Sequence, residues 1–400
     1  MVEKILIKLL SLSIVLYFTS LIVFKTYNYQ ITYVIDIILV LLFLILITLK
    51  SISLQINKFI KLYAIFVLFC TASSLWAVDF YGSFFRGFQL FLLLINMIVI
   101  YNSIKIFNLK DVFINGILLG SLVNYLILFG FIHVSFEYIS VNGGGRALGT
   151  MGNANMLAIL MLISLFISIA FLNQKYKKNK FIIYYHYINL ILSMYVIFLT
   201  MSKKGIIFGL ILILIYLALL VKEPKKLILT LIFGILILTI VFNYIDIDLG
   251  SYYTHISGRF KSFDSQLTRP DPFGSTGERM FLIDFGLNAF QDKPLFGYGI
   301  ANFFLLNDRH IYAHNNYVEL LVDVGIFGTM LFYYIYIYLI SNAYKLKDQF
   351  LKIIMITFLL ILMMMDIALV SYGMKILIYT LLFISIQIET LSAKEKINGK

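Results

Sequence analysis

Uninterrupted apolar runs of about 20 residues alternate with short polar segments along nearly the whole chain. A run of that length is what an α-helix needs to cross a bilayer, and backbone amides in lipid must find partners inside their own segment. The alternation of apolar and polar residues that a β-barrel would need is absent. The pattern therefore predicts an all-α polytopic membrane protein with about 12 transmembrane helices. The predicted spans are roughly 5–24, 31–49, 59–77, 84–103, 111–133, 154–173, 181–200, 205–221, 226–245, 316–341, 350–371 and 374–390.

One polar segment, 246–313, is far longer than the others and separates the ninth predicted span from the tenth. We treat 1–400 as a single integral membrane domain that contains this loop. Ser275–Glu278 has the spacing of a capping box, which predicts the start of a helix with one apolar face, lying along the membrane surface. The helix is predicted to stop at Lys293–Pro294, and Gly297–Gly299 predicts a flexible turn after it.

Composition and charge set the orientation. Hydrophobic residues make up 61% of the chain and charged residues 13%, which excludes a soluble fold. An even number of spans puts both termini on one side of the membrane, and the connections on that side are rich in lysine, so the positive-inside rule places both termini in the cytoplasm. Because topology accounts for most of the net charge of +12, we expect no nucleic-acid partner. The four prolines all fall outside the spans, which argues against broken helices.

The arginines are distributed differently from the lysines. All six fall on the predicted outer face, where the positive-inside rule disfavours cationic residues. A guanidinium is a planar, permanently charged donor that suits phosphate or carboxylate. They are Arg86, Arg146, Arg259, Arg269, Arg279 and Arg309.

Four carboxylates repeat this asymmetry, because they lie in the outer halves of predicted spans. A charge within a span costs roughly 2.5–3.5 kcal/mol, so each is a functional candidate. The alternative is that they form salt bridges with the outer arginines and hold the bundle together. They are Asp36, Glu319, Asp323 and Asp366.

Two outer segments are rich in glycine or charge where they meet apolar spans. In 143–155, the glycines would let backbone N–H groups approach a phosphate while Arg146 binds it, although a plain turn fits as well. In Met201–Gly205, Lys203 and Lys204 break the positive-inside pattern, and the alternative is that they extend toward lipid headgroups.

A third segment, 312–328, begins where the long loop re-enters the membrane. The imidazole of His314 would titrate near neutrality and serve as a general base, with Glu319 one helical turn or so beyond it. A lone histidine is more often structural. Here, however, an imidazole, carboxylates and arginines would converge on one face of the membrane.

These segments together resemble the O-antigen ligase and O-antigen polymerase superfamily. In that family a loop histidine followed by asparagine introduces a helix ending in a glycine-bounded turn, as in His314–Gly328. The stretch Arg279–Phe303 is similar to its arginine helix followed by a Pro-Leu-hydrophobic-Gly segment. Arg146–Thr150 with Asn153–Asn155 is similar to an earlier outer motif of the family. The resemblance spans about residues 140–330.

The resemblance implies a glycosyltransferase that moves a glycan from undecaprenyl diphosphate to a sugar hydroxyl at the outer face of the bacterial inner membrane. His314 would take the proton of the acceptor hydroxyl. The residues implied to bind the diphosphate are Arg146, Arg279, Arg259 and Lys203. The supporting residues would be Asn315, Glu319 and Asp323. The family usually has arginine where Lys203 stands, and lysine keeps the charge but loses the bidentate fork.

Polymerase and ligase share these motifs and differ in acceptor. We favour a polymerase of O-antigen or capsule repeat units; the alternatives are a ligase that transfers the glycan to lipid A core or another acceptor, and a transporter of lipid-linked sugars. The expected partners are the lipid-linked donor, the glycan acceptor, membrane lipid and, as a candidate, a chain-length regulator. No cofactor or metal is expected, because Asp246 and Asp248 alone are too few ligands and a solvated helix end is favoured.

Overall fold

The computed structural model describes residues 2–26, 28–50, 53–132, 146–173, 180–220 and 275–398. Several features of the sequence analysis lie outside these residues. They are the predicted span 226–245, the loop from 246 to 274, the glycines 143–145, Arg259, Arg269, Asp246 and Asp248.

The described residues form thirteen α-helices and no β-strand, so the all-α architecture is confirmed for this part of the chain. Short 3-10 turns lie at Ser73–Trp76, Gly149–Met151 and Asp366–Ala368. The helices are α1 (Val2–Val23), α2 (Tyr29–Lys50), α3 (Lys58–Ala72), α4 (Phe80–Phe107), α5 (Val112–Leu128), α6 (Ala154–Leu172), α7 (Lys180–Leu199), α8 (Lys203–Leu220), α9 (Ser275–Asp292), α10 (Phe303–Leu306), α11 (Asn316–Tyr344), α12 (Gln349–Met365) and α13 (Lys375–Asn398).

Ten of these helices are long and apolar enough to cross a membrane, and each coincides with a predicted span. The predicted fifth span corresponds to the shorter apolar helix α5. The protein is therefore a multi-pass membrane protein. Which side carries the termini stays a prediction.

The helices pack into one bundle, in which α6 is the most enclosed membrane-spanning helix of the described part. Its Phe166 stacks on Phe358 of α12 with ring centroids 4.1 Å apart. On another side, Asn189 of α7 donates hydrogen bonds to the hydroxyls of Ser164 and Ser168, at 3.0 and 2.8 Å. Such interhelical hydrogen bonds replace the hydrophobic driving force that helices lack in lipid.

Helix α11 is broken, contrary to the argument from proline. Gly325 has φ 65° and ψ −170°, which interrupts the helical hydrogen bonds. The carbonyls of Val322 and Asp323 accept instead from the N–H groups of Tyr298 and Gly299, at 2.9 and 2.7 Å. Beyond the break, the N–H of Ile326 donates to Pro294 at 2.9 Å. The break is thus filled by another part of the same chain, which satisfies its backbone groups.

We call residues 294–303 the docked segment. Its glycines were predicted to form a flexible turn, and this prediction is wrong, because they are fixed against α11. A Cβ at Gly297 would come within 2.5 Å of the Val322 carbonyl oxygen, and one at Gly325 would meet the Leu295 carbonyl. Only glycine permits so close an approach of two backbones. The helix break and the docked segment therefore require each other.

Candidate functional site

His314 lies in the connection between α10 and α11, with its side chain half-buried. Its φ of 55° is left-handed, a conformation that costs most residues about 1–2 kcal/mol and that is often found at functional sites. The next residue, Asn315, caps α11 by accepting from the N–H groups of Tyr317 and Val318, at 3.0 and 3.2 Å. The cap fixes the direction in which the chain leaves the imidazole, whose ring lies 4.1 Å from that of Tyr312.

The imidazole is surrounded by more positive than negative charge. Burial lowers the pKa of His314 below 6.5, and the charge of Arg279 lowers it further. Glu278 raises the pKa, and Lys204, with the smallest effect of these charges, lowers it. The ring is therefore neutral at neutral pH and free to accept a proton. A base that is neutral at the working pH is what proton abstraction from a hydroxyl requires.

Arg279 is held near His314 by helix α9. This helix begins at Ser275, as the capping box predicted, and ends at Asp292, directly before Lys293–Pro294. Its buried Leu282 joins Val318 and Val322 of α11 in a small apolar cluster. A Cβ on Gly286 would meet the side chain of Val318, so the glycine lets the two helices approach closely. Part of the apolar surface of α9 thus packs on α11, while other apolar side chains of this helix are exposed.

A second part of the site forms where α6 and α8 begin. Arg146 donates from Nε to the carbonyl of Thr200 at 2.9 Å and from Nη2 to Oδ1 of Asn155 at 3.3 Å. The same Asn155 oxygen accepts from the hydroxyl of Ser202 at 2.9 Å. The N-termini of the two helices therefore meet beside a guanidinium, and helix N-termini attract anions.

Lys204 connects the two parts. Its Nζ donates to the carbonyl of Ala368 at 2.6 Å, and its charge acts on both Arg279 and His314. The resemblance had pointed to Lys203, its neighbour, as a ligand of the diphosphate. The two-lysine turn was visible in the sequence, but the electrostatic interaction of Lys204 with His314 was not.

Gly205 explains how α8 comes so close to α6. A Cβ at this position would lie 2.7 Å from the Cβ of Ala158, a distance that side chains do not adopt. The glycine therefore places the first turn of α8, and with it Lys204, against α6.

The carboxylates of α11 and its neighbours hold the backbone rather than the arginines. Glu319 accepts from the N–H of Ala313 at 2.6 Å, immediately before His314. Asp323 accepts from three successive N–H groups of the docked segment, those of Ala301, Asn302 and Phe303, at 2.7, 3.0 and 2.8 Å. Within the described ranges, neither residue forms a salt bridge with an arginine. Both therefore act on the loop that carries His314.

Asp366 and Asp36 likewise bind neutral groups. Asp366 accepts from the hydroxyl of Tyr333 at 2.9 Å and from Asn316 at 3.3 Å, while Asp36 accepts from Asn96. The alternative that the carboxylates pair with outer arginines finds no support among the salt bridges of the described residues.

Three of these groups act on one another through their charges: Lys204, Arg279 and His314. Arg146 lies beside the turn that precedes Lys204. Asn315, Glu319 and Asp323 shape the backbone next to His314. Arg309 serves local structure, because it lies 3.7 Å from Glu278 and its guanidinium stacks over Phe281 at 4.4 Å. Arg86 lies on α4, and its charge acts on Asp323 and Glu319.

The fold and this cluster define a class of protein: a polytopic membrane protein with cations and a histidine gathered where polar connections meet the spans. Residues 188–333 match the family described as O-antigen ligase. Over these residues the chain is similar to that family, which supports the resemblance to the O-antigen ligase and polymerase superfamily noted from the sequence. The matched range contains Arg279, His314 and the two-lysine turn, whereas Arg146 precedes it. No curated protein matches the chain.

Proposed function

We propose that the protein transfers a glycan from a lipid diphosphate to a sugar hydroxyl, as a polymerase of surface polysaccharide repeat units. The observation that carries this proposal is a histidine whose pKa is lowered by burial and by the charges of Arg279 and Lys204, close to the helix N-termini where Arg146 lies. Such a cluster suits a substrate that brings its own negative charge.

The reaction divides between two kinds of residue. The acceptor hydroxyl attacks the anomeric carbon, its proton passes to the imidazole of His314, and the bond between that carbon and the phosphate oxygen breaks. The lipid diphosphate leaves with the electron pair. Arg279, Lys204 and Arg146 would bind it and stabilise the charge that develops as it leaves, assisted by the N-terminus of α8. Lys203 and Arg259 remain proposed diphosphate ligands on the resemblance alone.

The proposed setting is the bacterial inner membrane, with both termini in the cytoplasm and the site on the outer face. The donor would be an undecaprenyl-diphosphate-linked oligosaccharide, which reaches the outer leaflet before the chain is extended. A chain-length regulator would be a further partner of a polymerase.

The base is tested by His314→Asn. Asparagine tolerates the left-handed backbone of this position, so the fold is kept while the base is lost. We expect glycan transfer by purified protein to fall at least about 100-fold, the usual contribution of a general base. His310→Asn is a matched control, because His310 has the same backbone conformation, φ 49°, and is exposed four residues earlier. Equal activities of the two variants would refute the role of His314.

A ligase is the second candidate, favoured by the family description itself. Polymerase and ligase are separated by deleting the protein and examining the surface glycan on a gel. Glycan that stops at one attached repeat unit indicates a polymerase. Long lipid-linked chains without an acceptor indicate a ligase.

A transporter of lipid-linked sugars is the third candidate, because transporters commonly contain broken helices and α11 is broken. The break, however, is filled by the docked segment rather than open to a substrate. Vesicles that translocate the lipid-linked sugar without forming any glycosidic bond would favour the transporter and exclude the proposed enzyme.

A further inference from the structure

A cavity of about 630 Å³ lies between α1, α2, α4 and α13, apart from the site of His314. None of Arg146, Lys204, Arg279 or His314 lines it. Its walls are mostly apolar. Ile37 and Leu92, which line it, are exposed over 60% and 49% of their surfaces. In a membrane, such side chains meet lipid tails, so the cavity opens sideways toward the bilayer.

The lining of the cavity carries more positive than negative charge. It includes Lys25, Arg86 and Lys375, against a single carboxylate among its described lining residues, Asp36. Arg86 donates to Gln89 at 3.0 Å and stacks over Tyr372 at 5.2 Å, both neutral partners. Among the described residues, none of the three cations forms a salt bridge. The charge of Asp323 acts on Arg86 and that of Asp36 on Lys375. The cations in the lining still outnumber its one carboxylate, and an excess of charge in a partly apolar cavity is unfavourable unless an anion joins it.

Two of these cations are in unfavourable positions by themselves. Burial lowers the pKa of Lys25 to about 8, because its ammonium is poorly solvated where it lies. Lys375 is the first residue of α13, whose first turn contains no acidic residue. A cation there opposes the positive end of the helix dipole. Its ammonium lies 5.4 and 5.3 Å from the rings of Tyr29 and Tyr33.

An independent polar group points to a ligand as well. Asn96 lines the cavity and is only 5% exposed. Its amide nitrogen donates to Tyr17 and Asp36, but its carbonyl oxygen has no hydrogen-bond partner among the described residues. A buried acceptor without a donor costs about 1–3 kcal/mol, and a hydroxyl-bearing ligand would satisfy it.

We propose that this cavity binds a membrane lipid with a phosphate headgroup, whose phosphate contacts Arg86 and Lys375 while its chains leave between α2 and α4. The lipid is favoured over a free anion because most of the lining is apolar and part of it, such as Ile37 and Leu92, is exposed where lipid chains would lie. This lipid site is distinct from the site of the proposed transfer reaction, but Tyr372 connects the two. The guanidinium of Arg86 lies over the ring of Tyr372, and the backbone N–H of Tyr372 donates to the side chain of Asn316 at 3.1 Å, two residues after His314.

The test measures lipid binding to the detergent-purified, delipidated protein by native mass spectrometry. Phosphatidylglycerol is compared with a diacylglycerol of the same chains, which lacks the phosphate, and with inorganic phosphate, which lacks the chains. Of the three ligands, we expect only phosphatidylglycerol to bind tightly. Equal binding of the diacylglycerol, or equally tight binding of inorganic phosphate, would overturn the proposal.

Substitutions locate the site. Lys375→Gln is expected to weaken phosphatidylglycerol binding about tenfold, as the loss of one charge-assisted hydrogen bond would. Lys352→Gln is the matched control, because Lys352 lies over Tyr344 at 5.3 Å and outside the cavity. Ile37→Trp narrows the opening from an exposed position, where a larger residue does not disturb packing, and should also weaken binding. Binding unchanged in both Lys375→Gln and Ile37→Trp would place the lipid elsewhere. Because glycan transfer is not measured, this failure would leave the proposed function untouched.

Discussion

The docking of residues 294–303 into α11 depends on one buried side chain, Asp323. It is fully buried and accepts three backbone hydrogen bonds, from Ala301, Asn302 and Phe303. A buried N–H group that loses its acceptor costs about 1–3 kcal/mol. Asp323→Ala leaves three such groups without their acceptor, so we expect the free energy of unfolding to fall by at least about 3 kcal/mol.

The chain supplies its own reporter for this effect. Trp76 is the single tryptophan, and its indole N–H donates to the carbonyl of Phe296 in the docked segment at 3.1 Å. Its ring also packs edge-on against that of Phe296, with centroids 5.9 Å apart. Release of the docked segment should therefore change the environment of the indole. We expect Asp323→Ala to shift Trp76 emission to longer wavelength and to lower the melting temperature of the detergent-solubilised protein.

Asp348→Ala is the matched control. Asp348 also accepts a backbone hydrogen bond, from Leu351 at 3.0 Å, but only one, at the start of α12. Its loss should cost about 1 kcal/mol, as for other helix caps, without altering Trp76 emission. If Asp323→Ala melts at the wild-type temperature with unshifted emission, the docked segment does not depend on this carboxylate, and the reasoning is refuted.

Three further predictions concern the candidate site. Gly205→Ala should lower the free energy of unfolding by about 1–3 kcal/mol, because the new methyl group clashes with Ala158. A second substitution, Ala158→Gly, should restore the stability. If the double variant is no more stable than Gly205→Ala, the two residues are not in contact. Because the lowered pKa of His314 keeps the base neutral, the transfer rate should fall only when the pH drops below about 6.5. Arg279→Gln should move this fall to higher pH, because it removes a charge that lowers the pKa of His314. If the rates of the wild type and the variant fall at the same pH, Arg279 does not affect the pKa of His314. Arg279→Lys should weaken donor binding, because lysine keeps the charge but cannot form the bidentate hydrogen bonds of a guanidinium. Arg309→Lys is the control and should have little effect. Unchanged donor affinity in Arg279→Lys would exclude Arg279 as a ligand of the phosphate.

The predicted helices are well recovered because the length of an apolar run is a property of the sequence alone. The bounds of α9 follow the same logic, since a capping box and a lysine-proline pair are local signals. The break at Gly325 is different. The family resemblance suggested a glycine-bounded turn near this point, but the apolar run continues to Tyr344 and indicates one span. Only the docked segment, more than 20 residues earlier in the chain, makes the break stable.

In the candidate site, too, the sequence did not predict which single side chains would come into contact. Successive residues on a helix point about 100° apart, so Lys203 and Lys204 face different surroundings although their sequence contexts are nearly identical. How the charge of Lys204 is placed relative to His314 depends on how α8 packs against α6, and Gly205 lies against Ala158 in that contact. The carboxylates were predicted from their cost in a membrane. Their partners, backbone N–H groups of a loop, leave no mark in the sequence.

These contacts give the long loop a mechanical role. The chain that carries Arg279 on α9 continues through the docked segment and α10 to His314, and it is fastened to α11 twice, by Asp323 in the break and by Glu319 just before the histidine. The arginine and the imidazole are therefore both anchored to one helix, although 35 positions separate them in the sequence. Under the proposed function, a substrate that binds between them would not have to order the loop itself, so more of its binding free energy would remain for stabilising the charge that develops on the leaving diphosphate. The broken helix would then serve to position the two proposed reacting groups.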